Sequence, residues 1–83
     1  MAGLTWRRRE DISLERWVGV DDDGRVIGDV GDMVTHERGL PVATYSAYWT
    51  DRRRAPDLVD LGHSFDSAES AMAAVDESWS GSC

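Results

Sequence analysis

The chain lacks most of the residues that build covalent or metal-bound frameworks. Its 83 residues include a single cysteine, Cys83, so neither an intramolecular disulfide nor a cysteine-based metal site can form. Lysine, asparagine and glutamine are absent, and all nine basic residues are arginine, which we attribute to the codon bias of a GC-rich genome. The sequence also has no glycine-rich phosphate loop, and it predicts no cofactor.

Long apolar runs are missing as well. No stretch approaches the roughly 18 apolar residues that a membrane-spanning helix requires. The arginines near the N-terminus precede no apolar segment of the kind found in signal peptides. Together with the lone cysteine, these absences predict a cytoplasmic protein that does not enter a membrane.

Acidic residues are in excess, and they are unevenly placed. Sixteen acids and nine arginines give a formal net charge of −7. Residues 1–54 carry ten acids and all nine arginines, whereas residues 55–83 carry six acids and no base. The C-terminal part should therefore repel nucleic acid and attract basic protein surfaces, although solubility alone is a simpler explanation of the excess.

Alternating apolar residues predict a small antiparallel sheet. Four or five short strands fit the pattern, at residues 4–9, 14–20, 25–30, 42–50 and 58–61. The clearest strand, 42–50, has an apolar face made of Ala43, Tyr45, Ala47 and Trp49. One packed face and one wetted face are typical of an antiparallel sheet that is covered on a single side.

Glycines and charged runs mark the connections. The pair Asp23-Gly24 between two strand-like runs predicts a hairpin with a type I′ turn, in which glycine readily supplies the positive φ. Gly28 in the next strand predicts a bulge or close packing against a large side chain such as tryptophan. Residues 31–40 are predicted to form a loop, and residues 51–57 a charged turn.

One amphipathic helix is predicted over residues 67–79. Ser67 is a suitable N-cap, and Asp66 with Glu69 is a rival start. The apolar residues repeat with helical spacing along one face: Ala68, Ala71, Met72, Val75 and Trp79. We expect this face to cover the apolar face of strand 42–50.

The predicted fold class is α+β, a small antiparallel sheet of four or five strands with one C-terminal helix packed on one face. A chain of this length makes a single domain, 1–83, with an ordered core over about residues 4–79 and a frayed tail at 80–83. The four tryptophans, which should form much of the core, are Trp6, Trp17, Trp49 and Trp79. The alternative is that a tryptophan such as Trp17 is an exposed anchor for a partner.

The order of glycines and aromatic residues resembles a pattern in short uncharacterised bacterial and phage proteins. The residues that carry the resemblance are Asp23, Gly24, Gly28, Val30, Trp49, Gly62, Phe65, Ser67, Ala71 and Trp79. The similarity covers about residues 17–79. It implies a twisted antiparallel sheet closed by a C-terminal helix, and it brings no function with it.

No group of residues has the spacing of a catalytic or metal site. A calcium loop placed on Asp21–Gly24 would put Gly19 and Val30 at the first and last ligand positions, where neither side chain offers an oxygen. His36 and His63 have no recognised metal-binding spacing, and no serine lies in a nucleophile elbow. The sequence therefore predicts no metal and no enzyme activity.

Two arginine clusters are the best candidate binding residues. They are Arg7, Arg8 and Arg9 near the N-terminus, and Arg52, Arg53 and Arg54 in the predicted charged turn. If the clusters lie close together, six guanidinium groups would form a basic patch able to hold phosphate or an acidic partner. The simpler interpretation is that the arginines pair with the acids that flank them.

The leading hypothesis is a small, acidic, non-enzymatic interaction module, a phage or bacterial accessory protein that binds another protein. Its candidate residues are the two arginine clusters, Trp17, and an acidic face on the helix made of Glu69, Asp76 and Glu77. The alternative is nucleic-acid binding through the arginine clusters. A third hypothesis is a homodimer formed through a free sheet edge or through Trp17.

Overall fold

A computed structural model describes residues 3–10, 15–53 and 55–81. Five antiparallel strands precede one helix: β1 Thr5–Arg8, β2 Arg16–Val20, β3 Val26–Glu37, β4 Leu40–Asp51, β5 Ala55–Phe65 and α1 Ala68–Gly81. The strands lie in the sheet in chain order, β1-β2-β3-β4-β5, so each strand pairs with its neighbours in sequence. The α+β class, with one sheet and one C-terminal helix, is confirmed.

Helix α1 covers one face of the sheet, as the sequence predicts. Ser67 caps it, since its hydroxyl accepts a hydrogen bond from the backbone N–H of Ser70 at 3.1 Å. The buried face of the helix consists of Ala68, Ala71, Val75 and Trp79. These side chains belong to the same core as Val30, Ala47 and Trp49 of the sheet, so the predicted docking of the helix on strand 42–50 is confirmed at Ala47 and Trp49. Ala43, which was expected on the covered face, is exposed.

The helix ends later than the sequence predicts. It includes Ser80 and Gly81, which were expected in the tail, while Ser82 and Cys83 lie outside the described residues. The spacing of apolar residues stops at Trp79, so the pattern gives no signal for this last turn. No helix in the described part of the chain is long and apolar enough to cross a membrane.

The hairpin between β2 and β3 is confirmed, but its turn is of another type. Positive φ occurs at Gly24 alone in this loop, at 83°, so the two central residues of a type I′ turn are not present. Instead, the N–H of Gly24 bonds to the carbonyl of Asp21, and the Asp21 carboxylate accepts the N–H groups of Asp23 and Arg25. The acidic side chain therefore shapes a three-residue loop that the glycine closes.

The close packing expected at Gly28 is confirmed. A Cβ atom at this position would lie 2.8 Å from the indole of Trp6 and 2.8 Å from a methyl group of Val75. Only glycine lets β1 and α1 approach β3 this closely. A register shift lies beside it, between Gly19 and Val20 of the paired strand.

The prediction of a loop over residues 31–40 is wrong. β3 continues to Glu37 and β4 begins at Leu40, in a register that runs without a shift from Gly28. Arg38 and Gly39 both have positive φ, at 54° and 78°, as a two-residue type I′ turn requires. Mixed polar and apolar residues indicated a loop because neither face of this hairpin is buried, which removes the alternation that marks a half-buried strand.

The strand predicted at 58–61 is also longer. β5 spans Ala55–Phe65 and passes through Gly62, which has a φ of 103° and lies opposite Ala47 at a register shift. The glycine therefore bends the strand instead of ending it. The charged turn is correspondingly shorter than 51–57, since β4 ends at Asp51 and β5 begins at Ala55.

Candidate interaction surfaces

Residues 33–44 form a two-stranded arm that extends past the rest of the sheet. Among residues 3–10, 15–53 and 55–81, β2 pairs with β3 only as far as Gly31, and β5 pairs with β4 only as far as Tyr45. The helix follows β5 and returns along the sheet, away from the arm. The described residues span 41 Å in their longest dimension and 25 Å in the next. This arm was not among the sites predicted from the sequence.

Three of the five large apolar side chains that are exposed in the described residues belong to the arm. Val34 is 62% exposed, Leu40 is 67% exposed and Met33 is 36% exposed. Val34 lies on the helix side of the sheet, and the other two lie on the opposite side, because side chains alternate along a strand. The arm thus presents apolar surface in two directions.

The outer edges of the arm differ in their hydrogen-bonding groups. In a hairpin with a two-residue turn the flanking pair, Glu37 with Leu40, exchanges hydrogen bonds, and every second pair does the same. The backbone N–H and C=O groups of Val34 and His36 therefore point to the outer edge of β3. On β4 the outward positions are Ala43 and Pro41, and proline has no N–H to offer.

A neighbouring hydrogen bond agrees with this assignment. The N–H of Asp32, two residues before Val34, points outward and donates to the carbonyl of Glu15 at 3.1 Å. Beyond that bond no described backbone group pairs with the outer edge of β3. Within the described residues, the β3 edge of the arm keeps its outward N–H groups, whereas proline blunts the β4 edge.

The base of the arm is acidic. The Glu15 carboxylate accepts hydrogen bonds from the Trp17 indole at 3.0 Å and the Tyr45 hydroxyl at 2.8 Å. These two bonds, that of Trp17 first, hold the pKa of Glu15 below its usual range. The bond to Glu15 is also the main cause that raises the pKa of Tyr45, and the charges of Asp32 and Glu69 add to it. Any partner of the arm meets these carboxylates at its base.

The sequence-predicted Trp17 is half-buried and engaged by Glu15. The other three indole N–H groups also donate within the chain: Trp6 to Asp76, Trp49 to Ser78 and Trp79 to Asp51. Trp49 and Trp79 are buried, while Trp6 and Trp17 pack against the core with part of their surface in solvent. The tryptophans thus serve the core, as their number suggests.

Arg53 is held by acids at the end of the sheet opposite the arm. Its guanidinium contacts Asp21 at 2.6 Å, Asp51 at 3.0 Å and Asp23 at 3.3 Å. Asp51 is 4% exposed and also accepts the indole N–H of Trp79 at 3.1 Å. We call these five residues the Asp51 cluster.

Electrostatic interactions in the Asp51 cluster favour the charged forms of the Asp51 carboxylate and the Arg53 guanidinium. Hydrogen bonds from the Arg53 guanidinium, with a further one from Trp79, hold the pKa of Asp51 far below its usual range. The same contacts raise the pKa of Arg53. A hydrogen bond from the backbone of Arg25, followed by the Arg53 contacts, lowers the pKa of Asp21. The cluster fastens the β2–β3 loop to the turn after β4.

The described arginines of the two clusters do not come together. Arg8 lies on edge strand β1, in the row of the sheet that also holds Trp17 and Ala47. Arg52 follows the far end of β4, three strand spacings away and five residues further along, or roughly 20 Å distant. Arg7, Arg8, Arg9 and Arg52 are exposed, Arg53 is committed to the Asp51 cluster, and Arg54 lies outside the described residues.

The predicted acidic face divides into structural and free residues. Asp76 accepts hydrogen bonds from the backbone N–H of Leu4 at 2.8 Å and the indole of Trp6 at 3.1 Å, which fastens the segment before β1 to the helix. Glu69 and Glu77 are exposed. The outer surface of α1 remains acidic without Asp76.

The sheet face opposite the helix carries a closed polar network. Arg16 donates to both oxygens of Asp29, at 3.0 and 3.1 Å, and the Tyr48 hydroxyl donates to Asp29 at 2.9 Å. Gly31 makes room for the guanidinium, since a Cβ there would lie 2.9 Å from Arg16 Nη2. Burial, followed by the bond to Asp29, raises the pKa of Tyr48. The Asp29 carboxylate therefore links Arg16 to Tyr48 across this face.

Small-molecule and metal sites find little support. A shallow cleft of about 230 Å³ lies beside the Asp51 cluster, lined by Arg25, Val26, Ile27, Thr50, Asp51 and Arg52. Its exposed arginines lie next to the carboxylates of the cluster loop, so the cleft has no clear preference for an anion. Within the described ranges, no three His, Cys, Asp or Glu side chains are grouped closely enough to hold a metal ion.

Sequence reasoning missed the arm, although one local signal was available. Arg38-Gly39 lies between stretches that contain the β-branched residues Val34, Thr35 and Val42, and a residue followed by glycine is a common two-residue hairpin turn. Comparison with known proteins assigns no family to the chain, because it matches no family model, no curated protein and no solved structure.

Proposed function

We propose that this protein is a non-enzymatic interaction module that binds another protein through the arm. The observation that carries the proposal is the exposure of Val34, Leu40 and Met33 on a hairpin that extends past its neighbouring strands. These three side chains, on the two faces of one short hairpin, make up most of the exposed large apolar side chains among the described residues, which supports the arm as an interaction site. The proposal includes an accessory role in a bacterium or phage, in the cytoplasm.

The charge distribution supports a partner with a basic rim. The chain has a formal net charge of −7, and Glu15, Asp32 and Glu69 lie around the base of the arm. A partner that offers an apolar surface flanked by arginine or lysine would complement both features. Nucleic-acid binding has less support, because Arg53 is occupied by three carboxylates and the two arginine clusters lie apart.

Affinity capture with matched variants tests the proposal. The tagged protein is compared with a Val34→Ser, Leu40→Ser double variant and with Leu58→Ser, which removes an apolar side chain that is 54% exposed on β5. We expect a protein that is retained by the unaltered chain and by Leu58→Ser to be lost with the double variant. Retention of the same proteins by all three, or of none above background, would contradict the proposal.

A further inference from the structure

We propose that the tip of the arm enters a pocket of a partner protein, where Arg38 binds a carboxylate and Leu40 packs against apolar walls. The inference rests on the proposed function of the arm, and it specifies which residues meet the partner and which chemistry receives them. It follows from the backbone conformation of Arg38, from the exposure of both side chains and from the charge of the rest of the chain.

Arg38 has a backbone conformation that arginine rarely adopts. Its φ is 54°, and no other described residue except glycine has a positive φ. The first central position of a type I′ turn favours asparagine, aspartate or glycine, because other residues are strained there. We expect this strain to lower the folding equilibrium constant about fivefold relative to asparagine. Strain of this kind is concentrated where a residue serves recognition or catalysis.

No described contact of the Arg38 guanidinium offsets this strain. Arg16 pairs with Asp29, and Arg53 pairs with three aspartates. In the described part of the chain the Arg38 side chain has neither an ion pair nor a hydrogen bond, and the neighbouring Glu37 does not pair with it. The arginine is therefore available to a partner.

Leu40 supplies an apolar contact next to the guanidinium. It is 67% exposed, the largest exposed fraction among the large apolar side chains of the described residues. It lies just past the turn, opposite Glu37. Arginine suits such a site, because its planar guanidinium is weakly hydrated and binds a carboxylate through two parallel hydrogen bonds. Arg38 and Leu40 together therefore fit a pocket with apolar walls and a carboxylate inside.

The arm is long enough to place its tip inside a pocket. Its last pair, Glu37 with Leu40, lies five residues beyond the pair of Asp32 with Tyr45. At the rise of a β-strand this distance is roughly 17 Å. In the described residues neither β2 nor β5 accompanies the arm over this length, so the pocket must admit only two strands. A partner can thus enclose the tip while the acidic base of the arm stays at the rim of its pocket.

Charge favours a protein carboxylate over the phosphates of a nucleic acid. The chain has a formal net charge of −7, and Glu37 lies beside Arg38, so most of the surface repels a polyanion. Nucleic-acid binding also depends on several cations that neutralise several phosphates, whereas Arg38 is the only arginine among residues 33–44. A single carboxylate in a pocket needs only one guanidinium.

Two substitutions separate the strain of Arg38 from the role of its guanidinium. Arg38→Asn keeps a residue that accepts a positive φ and removes the cation. It should raise the folding equilibrium constant about fivefold in urea denaturation and reduce the amount of partner captured about tenfold. Arg38→Lys keeps the strain and the charge, so it should leave stability unchanged and reduce capture less. An Arg38→Asn variant that is no more stable, or that captures as much partner, overturns the inference.

The absence of lysine from the chain makes the partner carboxylate directly testable. In the Arg38→Lys variant the new ammonium is the only side-chain amine, so a carbodiimide can join it through an amide bond to a carboxylate that it contacts. The variant, with a lysine-free tag, is treated in a nuclease-digested lysate, and the joined peptides are identified by mass spectrometry. We expect the tip to be joined to an aspartate or glutamate of the captured protein. Arg52→Lys, at the other end of the sheet, is the matched control and should not be joined to that protein.

The outcomes separate this inference from the function proposed for the arm. A protein that is captured but not joined at the tip, or that is joined equally by Arg52→Lys, overturns the inference. If the Val34→Ser, Leu40→Ser variant loses that protein, the function proposed for the arm still stands. Joining of the tip to a nucleic acid in an undigested lysate overturns the inference as well. A chain that captures no protein above background overturns both proposals.

Discussion

The Asp51 cluster and the arm lie at opposite ends of the β3–β4 hairpin, and their side chains are satisfied in opposite ways. At the cluster, Asp51 is buried and bonds to Arg53 and Trp79, all within the chain. In the arm, Val34 and Leu40 are exposed for most of their surface. The Asp51 cluster holds together residues that are distant in sequence. The arm presents apolar side chains that have no partner among the described residues.

This difference separates stability from recognition. A substitution in the Asp51 cluster leaves buried donors or a buried charge without a partner, which is costly. A substitution of an exposed arm side chain removes little that the folded monomer uses. If the comparison holds, variants in the Asp51 cluster will change the free energy of unfolding, and variants in the arm will change binding.

The largest effect is expected from Asp51→Ala. It removes the acceptor of the Arg53 guanidinium and of the buried Trp79 indole, and we expect the free energy of unfolding to fall by about 3 kcal/mol. Urea denaturation followed by tryptophan fluorescence measures the loss. Asp22→Ala, an exposed acid in the adjacent loop, is the control and should change stability by less than about 0.5 kcal/mol. Equal effects would show that Asp51 has no special role.

Acid pH should weaken the same end of the molecule. The pKa of Asp51 is lower in the folded state than in the unfolded chain, so its contribution is complete above the unfolded value of about 4 and is lost as pH falls through the folded value. The unaltered protein should therefore lose stability below about pH 4. Asp51→Asn should show a shallower loss in the same range, and parallel curves would refute the assignment.

A smaller and local effect is expected at the turn of the arm. Gly39 has a φ of 78°, where an alanine is strained by about 1 kcal/mol. Gly39→Ala should speed hydrogen exchange at Thr35, whose N–H bonds across the arm, with less effect on the amides of Trp49. Gly81→Ala, where a Cβ meets nothing within 4 Å, is the matched control. Uniform faster exchange along β4 would show that the arm and the sheet open together.

The smallest effect on stability is expected from the apolar side chains of the arm. Val34→Ser and Leu40→Ser should each change the free energy of unfolding by less than about 0.5 kcal/mol, because neither side chain is buried in the monomer. Thermal melts at low protein concentration measure this. A fall in the free energy of unfolding above about 1 kcal/mol would show that these side chains pack on their own chain, and the arm would then not differ from the Asp51 cluster.

The sequence predicts those parts of the fold that have a local, half-buried pattern. Helix α1 is predictable from the spacing of Ala71, Val75 and Trp79 and from the cap at Ser67. The core of β4 is predictable from the alternation that ends in Ala47 and Trp49. In each case one face is buried and the other faces solvent, so apolar residues recur in the sequence with the period of the helix or strand.

The sequence does not predict the arm or the Asp51 cluster. Neither face of the arm is buried, so no alternation marks it, and its polar residues suggest a loop. The cluster joins Arg53 to Asp21, 32 positions away, and Trp79 to Asp51, 28 positions away, and no local pattern records these contacts. For Arg53 the sequence offers a binding patch or, as the simpler interpretation, pairing with a flanking acid, and the structure shows its contact with Asp51.

Hydrogen exchange of the arm amides tests the central claim most directly. The N–H groups of Met33 and Thr35 bond to β4, so they should be protected and serve as internal references. The N–H groups of Val34 and His36 point away from β4, and we expect them to exchange freely in dilute protein. Val34 and His36 amides that are as protected as those of Met33 and Thr35 would contradict the account.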